Sequence, residues 1–417
     1  MTRIPDGTPG GINGVRQRDA GPAERHGASL SPGKAEALDV LLSEAVASNA
    51  APFVVGMTAN AAGTTWCGAS GQRSLGLAAT ADTVFRIFSM SKGIGATAAA
   101  ILVDRGQLDL DTAVEDIVPA FAELGILAEG GEGRLGLLAP AGKATVRHLA
   151  THTSGLGYEF WDASTARYLS ESGQPSVLSG TLAGLRYPLL FEPGTRWQYG
   201  IGADWLGLVI ETIDGRRVDR FCQEEIFEPL GMRSTCFEPG VGTELADVFA
   251  RAPGGGFKLA HLSPPSHPDV YGMGSAVYST APDYIRFLRM LLRRGELDGV
   301  RILSSRMADE MLSNQIGDLR VQSRPSTALE ICGDLDVLPG FAKSHSLGFV
   351  RLEEDVPGRR AAESQFWGGV LNTHFWFDPA SDVAAVLMTQ SLPFLDPAFM
   401  DIYERFERTV YEGTGSP

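Results

Sequence analysis

The chain has 417 residues, 44% of them hydrophobic, with a formal net charge of -15. That length supports a sizeable core, and the acidic balance works against nucleic acid and against anionic membrane surfaces, so neither is an expected partner. The four cysteines contain no C-x-x-C, and the seven histidines contain no H-E-x-x-H, so no disulfide framework, no metal and no other cofactor is expected.

Residues 1–28 are rich in Gly, Pro and charge and read as a flexible tail. They hold no apolar run long enough for a signal peptide or membrane helix, which leads to a cytoplasmic expectation. Ser31-Pro32 suits a helix start, and Leu38, Leu41, Leu42, Ala45 and Val46 follow at helical spacing. Residues 53–60 (FVVGMTAN) read as a strand that turns at Ala61-Ala62-Gly63 into a second one, 64–67. Residues 83–88 (TVFRIF) form an extended lead-in. From Ser89 an apolar, Ala-rich run to Val103 predicts a buried helix, closed by Gly106. The stretch from about 107 to 280 is helical and loop-rich, with helical periodicity over 203–213 and 217–230. Another helix is predicted over 283–292. Strands follow at 346–352, 365–370, 373–377 and 383–389, then an amphipathic helix over 397–411. This order predicts an α+β fold: an antiparallel sheet flanked by helices, built from 29–107 plus 283–417, with a helical domain inserted over 108–282.

One motif stands out chemically. Only five lysines are present (Lys34, Lys92, Lys143, Lys258 and Lys343), and Lys92 lies in the first turn of a helix otherwise composed for burial. It belongs to Ser89-Met90-Ser91-Lys92, an S-x-x-K whose spacing puts hydroxyl and amine on one helical face. A serine hydroxyl needs a base to become a nucleophile, and a buried lysine amine can serve as one. Ser31-Pro32-Gly33-Lys34 repeats the pattern, but its polar context reads as a helix cap with nothing to depress the lysine pKa. No G-x-S-x-G occurs, so the α/β-hydrolase nucleophile elbow is absent.

Four ordered segments carry a resemblance to a known family. Residues 85–110 resemble the nucleophile helix of class C β-lactamases, family VIII carboxylesterases and lovastatin-type acyltransferases, within the penicillin-binding-protein-like superfamily. Residues 145–158 (TVRHLATHTSGLGY), 192–211 (EPGTRWQYGIGADWLGLVIE) and 365–379 (QFWGGVLNTHFWFDP) are similar to further family segments, so the resemblance spans roughly 34–412. It implies a Ser89 nucleophile activated by Lys92 and Tyr199. Which of the two is the formal base stays open, and the pair can titrate as a unit. It also implies an oxyanion hole made by the backbone N–H groups of Ser89 and Val370, with Gly368 and Gly369 allowing close approach and Trp367 offering a flat apolar wall to substrate. It makes His148 and His152 structural, against a Ser-His-Asp reading. Residues 271–284 (YGMGSAVYSTAPDY) resemble a glycine-rich family segment near the site, here interrupted by Met273 and Ser275.

Two departures from the β-lactamase pattern bear on substrate. Trp367 stands where the lysine of K-T-G would hold a β-lactam carboxylate, and Ile201 stands where an asparagine would bond a substrate amide. Both losses point to a neutral, fairly apolar ester as the small-molecule partner. The expected activity is therefore carboxylic ester hydrolysis through an acyl-enzyme. The alternatives are acyl transfer, amide, D-peptide or β-lactam hydrolysis on the same site, and a non-enzymatic binding relative.

Overall fold

The computed structural model describes residues 29–413 except 132, 133 and 244, so the expected tail over 1–28 lies outside the described residues. Its centre is an eight-stranded antiparallel sheet. In chain order the strands are β1 (Phe53–Ala59), β2 (Thr64–Ser74), β3 (Leu77–Ala78), β4 (Lys343–His345), β5 (Val350–Leu352), β6 (Gln365–Gly369), β7 (Thr373–Asp378) and β8 (Val383–Met388). In space they run β4-β5-β6-β7-β8-β1-β2-β3, so the two ends of the chain meet where β1 pairs with β8. The register there sets Val55 opposite Met388 and Met57 opposite Val386.

Every residue of β1 and of β8 is buried, which explains why neither strand alternates apolar with polar: both faces of the sheet are covered. One cover is α1 (Pro32–Ala47) packed on α5 (Pro397–Tyr411). The other includes α2 (Ser91–Asp104), α3 (Gly202–Asp214) and α4 (Ala281–Leu292), with α4 lying directly on β1 and β8. Helix α5 follows its pattern closely: Phe399, Ile402, Tyr403, Phe406 and Val410 face inward, and the Asp396 carboxylate caps the start by accepting from Ala398 and Phe399 N–H. Among these inward residues Glu407 is fully buried, held by Arg360 at 2.6 Å and Arg359 at 2.5 Å.

Three details differ from the sequence expectation. The segment 346–352 is not one strand; β4 and β5 form a tight hairpin, with the Ser346 amide bonded to Phe349 O. The stretch from 107 to 280 carries two small hairpins, Ile126–Glu129 with Leu135–Leu138 and Val248–Arg251 with Phe257–Ala260, besides its helices. Ser31 occupies the cap position of α1 without a side-chain capping bond. Lys34 is half-buried with its amine on Val410 O at 3.1 Å, and burial lowers its pKa, contrary to the exposed context expected for it. No described helix is long and apolar enough to cross a membrane, and no described cluster of His, Cys, Asp or Glu could hold a metal ion.

Candidate active site

The lead-in to Ser89 is pinned before the helix starts. Phe85 and Arg86 pair with Tyr278 and Ser279, and Ile87 N–H donates to Val277 O. The chain then turns sharply: Phe88 has φ +41°, and one 3-10 turn, Phe88–Met90, leads into α2. A positive φ is costly for a bulky side chain and persists only where its surroundings hold it. Here the Tyr284 hydroxyl donates to Met90 O at 2.9 Å, and Ser91 Oγ accepts from Val277 N–H. Ser89 therefore stands on the turn ahead of α2, half-buried, rather than on the first turn of the α-helix itself.

Lys92 lies beneath it, 3% exposed. Its amine has three oxygen partners: Ser89 Oγ at 2.9 Å, Tyr158 Oη at 3.0 Å and Gly274 O at 3.0 Å. An ammonium has three donors, and this geometry offers an acceptor for each. Tyr158 stays a neutral phenol, because burial, reinforced by the nearby Asp204 charge, pushes its pKa well above the usual value.

Tyr199 approaches from the extended segment that precedes α3. Its Oη lies 2.7 Å from Ser89 Oγ and accepts from the Trp367 indole N–H at 3.1 Å. The ring is packed by Tyr158, Trp161, His152 and Trp367, with centroids between 4.8 and 5.5 Å away. The Lys92 amine sits 4.9 Å from the same ring centre, a cation–π contact as well as a charge beside a phenol. Ser89, Lys92, Tyr199 and Trp367 are thus one hydrogen-bonded chain.

The two histidines serve elsewhere. His148 Nδ1 accepts from Thr145 N–H in a capping box. His152 is buried against Tyr199, Trp197 and His345, accepts from Gly200 N–H, and is held neutral because burial lowers its pKa far below the usual value. Neither bonds to Ser89.

Strand β6 packs on the Ser89 turn. A Cβ on Gly369 would fall 2.2 Å from Ile87 O, and one on Gly368 would fall 2.8 Å from His374 Nδ1. These glycines therefore allow the protein's own backbone and a histidine ring to approach closely. Val370 follows at the head of a tight turn. Among the described residues, neither its amide nor that of Ser89 donates to a protein acceptor. Trp367 departs from the flat wall expected: it is 7% exposed, and its polar edge is committed to Tyr199.

Next to Ser89 in the chain, Phe88 is a core residue that clusters with the buried Leu371, and the half-buried Leu178, Leu262, Ile331 and Val370 pack against that cluster. Leu178 also lines a small cavity, of about 20 Å³, with Val177, Pro265, Tyr271 and Ser275, against the loop that holds Lys92. Sequence reasoning missed Tyr158, Asp204 and Leu178. For Tyr158 the only signal was its place at the end of the 145–158 segment.

The chain is similar to known proteins. The family described as Beta-lactamase matches residues 50–409. A lovastatin esterase of Penicillium rubens is 28% identical over 345 residues, covering 79% of this chain and 85% of the relative. An acyltransferase, calJ, of Penicillium decumbens is 30% identical over 349 residues, covering 79% and 81%. Among solved structures, unliganded simvastatin synthase (LovD) from Aspergillus terreus superposes with a TM-score of 0.79 at 25% identity, covering 91% of this chain and 98% of that one.

Proposed function

Since this chain belongs to the Beta-lactamase family, and its sequence relatives include esterases and acyltransferases, we propose that it is a serine hydrolase that cleaves carboxylic esters through an acyl-enzyme on Ser89. One observation carries this reading: a half-buried hydroxyl lies 2.9 Å from a buried lysine amine and 2.7 Å from a tyrosine oxygen.

In the proposed reaction Ser89 Oγ attacks the ester carbonyl carbon while its proton passes to the Tyr199–Lys92 pair. The carbonyl oxygen takes up the displaced electron pair and is stabilised by the free N–H groups of Ser89 and Val370. When the tetrahedral adduct collapses, the C–O bond to the alcohol breaks, and the held proton goes to the leaving oxygen. Water then repeats the sequence on the acyl-enzyme and regenerates Ser89. The half-buried Leu178, Leu262, Ile331 and Val370 favour an apolar acyl or alcohol group. With Trp367 in place of a lysine, nothing at that position would bind a β-lactam carboxylate.

Acyl transfer to an alcohol is the second reading, favoured by the acyltransferases among the relatives. The test is turnover of short p-nitrophenyl esters with product analysis in the presence of an added alcohol. Ester turnover that disappears in Ser89→Ala is expected, and free acid as the main product supports hydrolysis over transfer. Full activity in Ser89→Ala would end the proposal.

A further inference from the structure

The glycine-rich loop beside Lys92 is wrapped around a buried carboxylate. Asp204 sits in the first turn of α3, five positions after Tyr199, and is 1% exposed. Its Oδ1 accepts from Gly274 N–H at 2.9 Å, while Gly274 O accepts from the Lys92 amine at 3.0 Å. One residue thus links the carboxylate to the amine through its two backbone groups. A Cβ on Gly272 would lie 2.3 Å from Asp204 Oδ1, and one on Gly274 would lie 2.7 Å from Oδ2, so both positions are bare to let the loop close on the carboxylate. Oδ2 is buried and has no hydrogen-bond partner among the described residues.

A buried carboxylate with an unbonded oxygen is expensive unless a counter-charge compensates it. The ionisable groups facing Asp204 are Lys92 from α2, and Tyr158 and Glu159 from the preceding loop, with Tyr199 beside Tyr158. The Gly272–Gly274 turn brings none. Tyr158 is a neutral phenol, and Glu159 is engaged by the hydroxyls of Ser176 and Tyr187. Lys92 is the only cation in this set.

We propose that Asp204 is a positioning residue for Lys92: through Gly274 it fixes where the amine points, and its negative charge is the amine's buried counter-charge. This rests on Ser89 being the nucleophile. Burial raises the Asp204 carboxyl to about 6, with Lys92 opposing the rise, so the counter-charge is lost as pH falls through that value.

The experiment measures the rate of fluorophosphonate labelling at Ser89 by intact mass, from about pH 5 to about pH 8, for wild type, Ser89→Ala and Asp204→Asn, with melting temperatures alongside. Asparagine keeps an acceptor for Gly274 N–H and removes the charge. The expected result is a folded Asp204→Asn protein that labels about tenfold or more slowly at the upper pH and lacks the wild-type rise near pH 6. Its ester kinetics should lose kcat with KM little changed, since Asp204 touches the holder of Lys92 rather than substrate. Labelling at the wild-type rate and with the wild-type profile, while Ser89→Ala stays unlabelled, overturns the inference and leaves the hydrolase reading intact. A wild type that never labels at Ser89 overturns that reading, and the inference falls with it. If Asp204→Asn does not fold, the wild-type profile decides: a flat rate across the acid half overturns the role of Asp204.

Discussion

Trp367 occupies a position where its ring matters less than its N–H. Its indole is one of two groups on Tyr199 Oη, the other being Ser89 Oγ, and a donor there favours the phenol oxygen whenever it carries negative charge. Trp367→Phe keeps an aromatic ring against Tyr199 and deletes the donor. The expected outcome is a drop of about tenfold in kcat/KM for a p-nitrophenyl ester with little change in melting temperature, in line with roughly 1.5 kcal/mol for a hydrogen bond to a charged group. An unchanged kcat/KM would return Trp367 to a packing role. At this scale the sequence was readable where spacing is local. Ser89 and Lys92 are three residues apart, which lets them meet, and the apolar run around Lys92 separates this pair from Ser31 and Lys34 at the same spacing. Tyr158 and Asp204 reach Lys92 across 66 and 112 positions of chain, and no local pattern marks either one.

Elements were legible in proportion to how far their own periodicity decides them. Helix α5 runs over the span its apolar spacing predicts, because five inward residues on one face leave little choice. The region 346–352 misled because β4 and β5 are three residues each, too short to show a period, and their turn lies inside the apolar run. Glu407 carried no signal in the sequence, being a charge on the buried face of α5. Burial works against its ionised form, yet Arg360 and Arg359 together hold its carboxyl below the usual range. The Arg360 fork is bidentate, at 2.6 and 2.7 Å, and fully buried on both sides. Glu407→Gln leaves two buried guanidinium groups without a carboxylate, so a loss of about 3 to 5 kcal/mol in unfolding free energy is expected. Urea denaturation checks this. The pair ties α5 to the loop before β6 and touches nothing around Ser89, so activity per folded molecule should be retained. A loss under about 1 kcal/mol would mean that the buried ion pair contributes little beyond its desolvation cost.

For the molecule as a whole, the joining of both chain ends into one sheet could be read from where the strand-like segments lie. The order of strands and the burial of three histidines could not. His152, His345 and His374 are all enclosed, and burial is the main cause that lowers each pKa: to about 4 for His345, to about 3 for His374 and well below the usual value for His152. The folded state therefore keeps these rings neutral, while the unfolded chain protonates them near pH 6.5. Stability from this source is complete above that value and is lost as pH falls towards the folded values. Between pH 6.5 and pH 5, His345 and His374 would each cost about 2 kcal/mol, at about 1.4 kcal/mol per pH unit. Asp204, Glu211 and Asp283 act in the opposite sense, since burial raises their carboxyls and makes the folded state hold protons the unfolded chain releases, but for Asp204 this begins only as pH falls below about 6. The melting temperature should accordingly fall steadily as pH drops from about 7.5 to about 5, under conditions where exposed carboxylates remain largely ionised. His374→Phe is the discriminating variant, because the ring stacks between Phe394, Phe399 and Tyr403 and has one weak polar contact, to Asn372 at 3.5 Å. It should fold and show a visibly shallower acid slope. A slope unchanged in that variant would mean that the acid sensitivity comes from the carboxylates of the surface rather than from the enclosed imidazoles.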